Sequence, residues 1–350
     1  MNAGATDGYV LLVDDDGDGQ LVDIGPMDIG KLAWGDDGLY ASGPTDEYLF
    51  TDNAVTAFPR GSEEFYETSR FLAPDDGFVS VYNAGFGENS YLARVTMGGT
   101  DGVTSWDATG MFESVSQCDD VVVGMTNIAE TTATPETAGT LRTDALVQLY
   151  PKPANEASAI LATLPIRERS FVSDSTDAAC AHGVSYTLAY QYDEPEGTGD
   201  GIPVLRAWDT RTGEHRVISL MTSTGGVLDV EVDDLLGRPS NIIDDDYTWV
   251  DAQGRVFTTD LGSGTTTEPF DIDLASPEMG ESQYVITDKS IFVLDVSQNL
   301  DAPLDFSRYD LVTGSRVRIF TVPGTGAVHD GLNMIIRDIA LDPDWVSANE

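Results

Sequence analysis

Three near-copies of one hairpin motif, the scarcity of helical periodicity and a stock of 35 glycines predict an all-β chain. The predicted fold is a single seven-bladed β-propeller over residues 1–350, built of four-stranded antiparallel blades. The motif is a short strand that runs into Asp-x-x-Ser/Thr-Gly. It reads Trp208-Asp209-Thr210-Arg211-Thr212-Gly213, then Thr259-Asp260-Leu261-Gly262-Ser263-Gly264, then Tyr309-Asp310-Leu311-Val312-Thr313-Gly314. The three aspartates lie 51 and then 50 residues apart. In each copy the carboxylate can accept from the turn backbone while glycine supplies the positive φ of the reversal.

Weaker hairpins extend the series towards the N-terminus, with turns starting near Pro151, Thr96, Thr51 and Asp14. Their spacings of 37, 45, 55 and 58 residues are what four short strands and variable loops occupy. Upstream of each hairpin two further strand-like runs are expected. These are residues 112–118 with 121–127, 169–175 with 183–191, 227–233 with 247–252, and 283–287 with 290–294. The last segment supplies only such a pair, residues 334–341 and 345–348, whereas residues 9–24 supply only a hairpin. A blade shared between the two ends is therefore expected to close the ring, so that no sheet edge is left open. Residues 1–8 are expected to lie outside it, as a disordered or exogenous leader.

The formal net charge is −42, from 60 acidic and 18 basic residues, with lysine only at Lys31, Lys152 and Lys289. Such a field repels phosphate backbones and anionic head groups, so neither nucleic acid nor a membrane surface is an expected partner. A protein or a neutral glycan is, and a monomer is expected. No run approaches the roughly 18 apolar residues of a membrane span. Cys118 and Cys180 are the two cysteines. Each follows the innermost strand of its blade, and the blades are neighbours, so a disulfide between them is expected. With it comes an extracellular or cell-surface location, a signal peptide or anchor having been removed.

The run Trp208-Asp209-Thr210-Arg211-Thr212-Gly213-Glu214 resembles the Trp-Asp-x-x-Thr-Gly end of the third strand in WD40-like and quinoprotein-like propeller blades. That resemblance implies the propeller fold; because propellers host binding modules and enzymes alike, it implies no chemistry.

The sharpest local motif is Asp14-Asp15-Asp16-Gly17-Asp18-Gly19. Asp14, Asp16 and Asp18 stand at the first, third and fifth positions of a calcium loop, but Val22 and Gly25 hold its ninth and twelfth. Calcium binding and a plain acidic turn are both open readings. His182, His215 and His329 fall in separate loops with no zinc spacing. The sequence has no nucleophile elbow, phosphate loop or His-Glu-x-x-His.

The leading functional reading is a non-catalytic binding or scaffold module of unknown ligand. The alternative is a carbohydrate-active hydrolase or lyase with acidic residues at the axial pocket. The expected working face carries the loops between second and third strands, at residues 128–144, 193–201 and 296–305. Phe86 in one such loop, and Phe65 and Tyr66 in the connection between consecutive blades, are the expected partner contacts.

Overall fold

A computed structural model of the protein describes residues 7–350, apart from 74–76, 88–89, 130–141, 156–158, 167–169, 173–175, 193–200, 236–237, 278–281, 298, 300–301 and 323–334. His329 and Met334 lie outside the described residues, as do 130–141, 193–200, 298 and 300–301 of the three long loops named above.

The fold is a β-propeller of six blades, each with four antiparallel strands in sequential order, and a separate two-stranded sheet. Blade 1 comprises Leu32–Gly35, Gly38–Ser42, Asp46–Thr51 and Ala54–Pro59; blade 2 comprises Glu67–Ala73, Gly77–Phe86, Tyr91–Gly99 and Gly102–Thr109. Blade 3 follows with Phe112–Cys118, Val121–Ala129, Arg142–Tyr150 and Ile160–Ile166. In blade 4 the first strand is split into Ser170–Val172 and Ala179–Ala181, both paired with Val184–Tyr192; Gly201–Asp209 and His215–Ser219 complete it. Between the two halves, Thr176–Asp177 leaves to pair with blade 3. Blade 5 holds Ser240–Ile243, Asp246–Val250, Arg255–Asp260 and Thr265–Asp271, and blade 6 holds Gln283–Ile286, Ser290–Asp295, Leu304–Asp310 and Arg316–Val322.

The middle strands of each blade are covered on both faces, which is why they read as near-continuous apolar runs rather than alternating ones. In Gly77–Phe86 the first six residues are all buried, and in Ser290–Asp295 five of six are. Three hairpins carry the same turn. Asp209 accepts from the N–H groups of Arg211 and Thr212, each at 2.9 Å. Asp310 accepts from Val312 and Thr313, and Asp260 from Ser263. The glycine that follows has φ of 72°, 75° and 66° at Gly213, Gly264 and Gly314.

Five expectations need correction. Seven four-stranded blades reduce to six, because among the described residues the sheet formed by Asp7–Val13 and Gly19–Pro26 has two strands. Residues 335–342 form no strand, and Pro343–Asn349 is a helix, not a strand. Asp342 caps that helix by accepting from Asp344 and Trp345, and Pro343 fits its first turn because a missing N–H costs nothing there. The third hairpin reverses at Gly99–Gly102 rather than at Thr96, which lies inside a nine-residue strand. In blade 5 the first strand is Ser240–Ile243, not residues 227–233. Asp244 and Asp245, at φ 49° and 68°, make the tight turn that pairs it with Asp246–Val250. The first strand of the chain starts at Asp7, so residues 7 and 8 are part of a sheet.

The two-stranded sheet sits against two blades at once. Val10 and Ile24 pack with Leu39, Ala41 and Phe50 of blade 1. Leu11 and Val13, on the opposite face of the same strand, pack with Leu304 and Val322 of blade 6. Residues 335–349 span the same two blades: Gln283 Nε2 donates to the Ile336 carbonyl, Leu32 N–H donates to Asp338, and Trp345 packs on Phe292 and Phe306. A cavity of about 710 Å³ lies between the sheet, this segment and blades 1 and 6.

Candidate binding site

The site is built on the connection between blades 1 and 2, and a buried ionic cluster holds it. Arg60, just past the last strand of blade 1, donates through Nη1 to Glu47 Oε1 at 2.7 Å and to the Tyr82 hydroxyl at 3.0 Å, and through Nη2 to the carbonyls of Gly43 and Pro44. Arg70 bridges the blades, donating to Glu67 Oε1 at 3.0 Å and to Glu47 Oε2 at 2.7 Å. Tyr82 donates to Glu47 Oε1 at 2.5 Å. The charged side chains of all three ion pairs are wholly buried. Burial, then the neighbouring carboxylates of Glu47 and Glu67, push the Tyr82 phenol well above its ordinary range, so it stays a donor. Glu47 and Glu67 share the Arg70 guanidinium, Arg60 is bonded to Glu47 alone of the two, and all of these side chains are fully buried. They are a structural clasp, not an acid–base pair open to a substrate.

The clasp fixes the backbone of residues 64–67. Glu67 Oε2 accepts from Lys31 N–H and Ser42 Oγ, the Phe65 carbonyl accepts from Asp28 and Ile29, and the Tyr66 carbonyl accepts from Asn83. Tyr66 is thereby held at the end of the blade that also carries the loop between the second and third strands of blade 2. At the end of the strand that leads into that loop, Asn83 Oδ1 accepts from Gly85 N–H beside a bulge, and the next residue, Phe86, which the sequence placed in the loop, is the last of the strand and 84% exposed. Its ring meets Tyr91, its cross-strand partner, edge to face at 4.6 Å. Gly110 N–H donates to the Tyr91 carbonyl, which places Met111, also exposed, beside it. Tyr66, Asn83, Tyr91 and Met111 line one small recess of about 50 Å³. Three chain segments, the loop and the connections before and after blade 2, thus deliver one aromatic patch to one end of the ring.

Of the predicted contacts, Phe86 and Tyr66 belong to this patch. Phe65 is half-buried and contributes its carbonyl. Tyr91 and Met111 were missed; each borders a turn, but neither stands out by residue type. Cys118 and Cys180 form the expected disulfide, with Cα atoms 5.3 Å apart, and join the first strands of blades 3 and 4.

The acidic turn folds around its own first residue: Asp14 Oδ1 accepts from Asp16 and Asp18 N–H at 3.1 and 2.9 Å, and all three aspartates are exposed. Among the described residues, no three His, Cys, Asp or Glu side chains gather as a metal set. His182 lies in an exposed turn, 3.1 Å from Asp245. His215, expected in a loop, instead opens the last strand of blade 4 and is largely covered.

At the edge of the large cavity, Lys31 Nζ lies 3.9 Å from Asp177. Asp338 above all raises its pKa, with Asp177 and Glu67 adding to the effect against the opposing cost of burial. Lys31 is therefore a fixed ammonium and not a base. No helix among the described residues is long and apolar enough to cross a membrane.

Among solved structures the chain is similar to apo AztD from Citrobacter koseri, at 13% identity and TM-score 0.48, over 91% of this chain and 94% of that one. It is similar also to the β-propeller domain of the Trilobed protease from Pyrococcus furiosus, at 10% identity and TM-score 0.47, over 89% and 90%. A third is the computationally designed Ika8 protein, at 12% identity and TM-score 0.42, over 90% of each chain. No curated protein matches it. Residues 1–340 match the model of the family described as YycP, beta-propeller domain, and the chain belongs to that family.

Proposed function

We propose that the protein is a binding module displayed outside the cytoplasm, and that it takes a neutral glycan on the aromatic patch of blade 2. The observation that carries this reading is Phe86, an aromatic ring 84% exposed at the end of a strand whose first six residues are buried. A folded chain gains by covering such a ring, so one held in water beside Tyr91, Tyr66 and Met111 is placed to be covered by a ligand. Aromatic faces stack on the apolar faces of pyranose rings, and the Asn83 amide and tyrosine hydroxyls at the recess suit sugar hydroxyls. The patch presents too few residues for the roughly 800 Å² per partner of a stable protein interface. The net charge of −42 favours uncharged ligands over anionic ones. The disulfide supports an oxidising compartment.

The test is an array of neutral oligosaccharides probed with the wild-type protein and Phe86→Ala. Wild type is expected to bind, and Phe86→Ala to weaken binding roughly tenfold, the scale of one aromatic anchor at about 1–2 kcal/mol. Its melting temperature should not change. No binding to any arrayed glycan, or equal binding by the variant, would overturn the reading.

We infer further that the two-stranded sheet closes the ring between blades 6 and 1. Its support is the alternation along Asp7–Val13, where Val10 serves the core of blade 1 while Leu11 and Val13 serve that of blade 6.

A further inference from the structure

We propose that the cavity beside the two-stranded sheet takes an extended peptide with basic ends, which adds to Asp7–Val13 as a further strand. The cavity follows that strand: all of its residues line it, against Leu21 and Ile24 of Gly19–Pro26. The edge of Asp7–Val13 away from Gly19–Pro26 pairs with no strand among the described residues, whereas the other six sheets have four or five strands each. A two-stranded ribbon is marginal by itself, and an unpaired edge is a template for another strand. The register tells which groups that edge presents. Asp14 N–H donates to the Asp18 carbonyl at 3.0 Å, so the hydrogen-bonded pairs of the ladder fall at Asp14, Leu12 and Val10. The amide and carbonyl groups of Leu11 and Val13 therefore point the other way, towards the cavity.

The walls select the occupant. Leu39 and Ala41 of blade 1 stand on one side of the cavity, and Leu304 and Val322 of blade 6 on the other. Protein interiors keep few voids larger than a water molecule, so about 710 Å³ between such walls is space for an occupant. A chain lying there has apolar side chains on both faces, as the middle strands of the blades do. A small lipophile would cover the same walls, but it would leave the Leu11 and Val13 groups unpaired; an added strand answers both. Six aspartates line the cavity, against Lys31 and Arg337. Asp7 opens the strand at one end, and Asp14 and Asp15 follow it at the other, so both ends of an added strand meet carboxylates. Lys31 already has Asp338 and Asp177 beside it. The net charge of −42 draws basic segments to the chain from a distance. The cavity shares no lining residue with the recess of the aromatic patch.

The probe is a library of fluorophore-labelled peptides as long as Asp7–Val13, with lysine at both ends and Val, Ile, Leu or Thr between, screened against the full chain by fluorescence polarisation. Saturable binding is expected, and the tightest peptide is then read in three ways. Amide hydrogen exchange in the unmodified protein should slow at Leu11 and Val13 far more than at Val10 and Leu12, whose N–H groups are already paired. Methylating the peptide's backbone nitrogens at alternate residues keeps every side chain but removes the donors of one edge. One of the two alternate sets should weaken binding at least about tenfold. Glutamate in place of both lysines should weaken it as well. The absence of any binder, or a binder that leaves exchange at Leu11 and Val13 unchanged, would overturn the proposal. So would equal binding by the parent and both methylated peptides, which identifies a site for side chains or lipophiles alone, and equal binding by the glutamate-ended peptide.

Discussion

Glu47 holds Arg60, Arg70 and Tyr82 with one carboxylate, and these partners come from two blades. Its removal leaves two guanidinium groups in a site that water does not reach, with Glu67 as the remaining counter-charge. Breaking a buried pair in this way costs about 3–5 kcal/mol, because the stranded charge is paid for in full. Glu47→Ala is therefore expected to lower the urea midpoint by an amount on that scale, with an unchanged slope. A loss below about 1 kcal/mol would mean that solvent enters the cluster, since exposed pairs have that value. The cluster was not legible in the sequence. Its members are scattered over residues 47–82, and in a chain with 60 acidic residues no individual glutamate is conspicuous.

At the scale of elements, the Asp-x-x-Ser/Thr-Gly turns are where reading the sequence succeeded, because both determinants are local. The carboxylate reaches N–H groups two and three residues ahead, and the glycine adopts a φ that L-residues avoid. Gly264 has a second constraint: a Cβ there would stand 2.3 Å from the Ser219 carbonyl of blade 4, whereas one at Gly225, also at positive φ, would meet nothing within 4 Å. Gly225→Ala should cost only the left-handed strain of about 1–2 kcal/mol. Gly264→Ala should cost clearly more, since two blades must separate to admit it; equal losses by thermal denaturation would show that the blade contact yields freely. Reading failed where the pattern was ambiguous. Ile335-Ile336-Arg337-Asp338-Ile339-Ala340-Leu341 has strand composition, yet Asp342-Pro343 after it is a helix start that outweighs any continuation. In blade 5 the expected first strand was residues 227–233, whereas the turn before Asp246–Val250 is made by Asp244 and Asp245, because aspartate tolerates the left-handed region. The patch was half legible. Phe86 and Tyr66 were placed by topology, which sends second-to-third loops and inter-blade connections to one end, but exposure itself depends on the Asn83–Gly85 bulge, which no pattern announces.

The whole molecule depends on how the ends of the chain meet. Six blades form a ring only if the sixth finds the first, and under the proposed closure the two-stranded sheet joins them; that sheet and residues 335–349 contact both blades. Val10, Leu11, Val13 and Ile24 lose their cover if the sheet leaves, and so do Leu39, Phe50, Leu304 and Val322 on the blades it touches. Each buried aliphatic or aromatic side chain contributes roughly 1.5–3 kcal/mol, so losing the cover of several exceeds the margin of about 5–15 kcal/mol that keeps a domain folded. The direct measurement is urea denaturation of the protein lacking residues 1–26, followed by intrinsic tryptophan fluorescence beside the full chain. Cooperative unfolding at a much lower midpoint, or failure to fold, is the predicted result; a truncated protein that unfolds at the midpoint of the full chain would contradict a ring closed by this sheet.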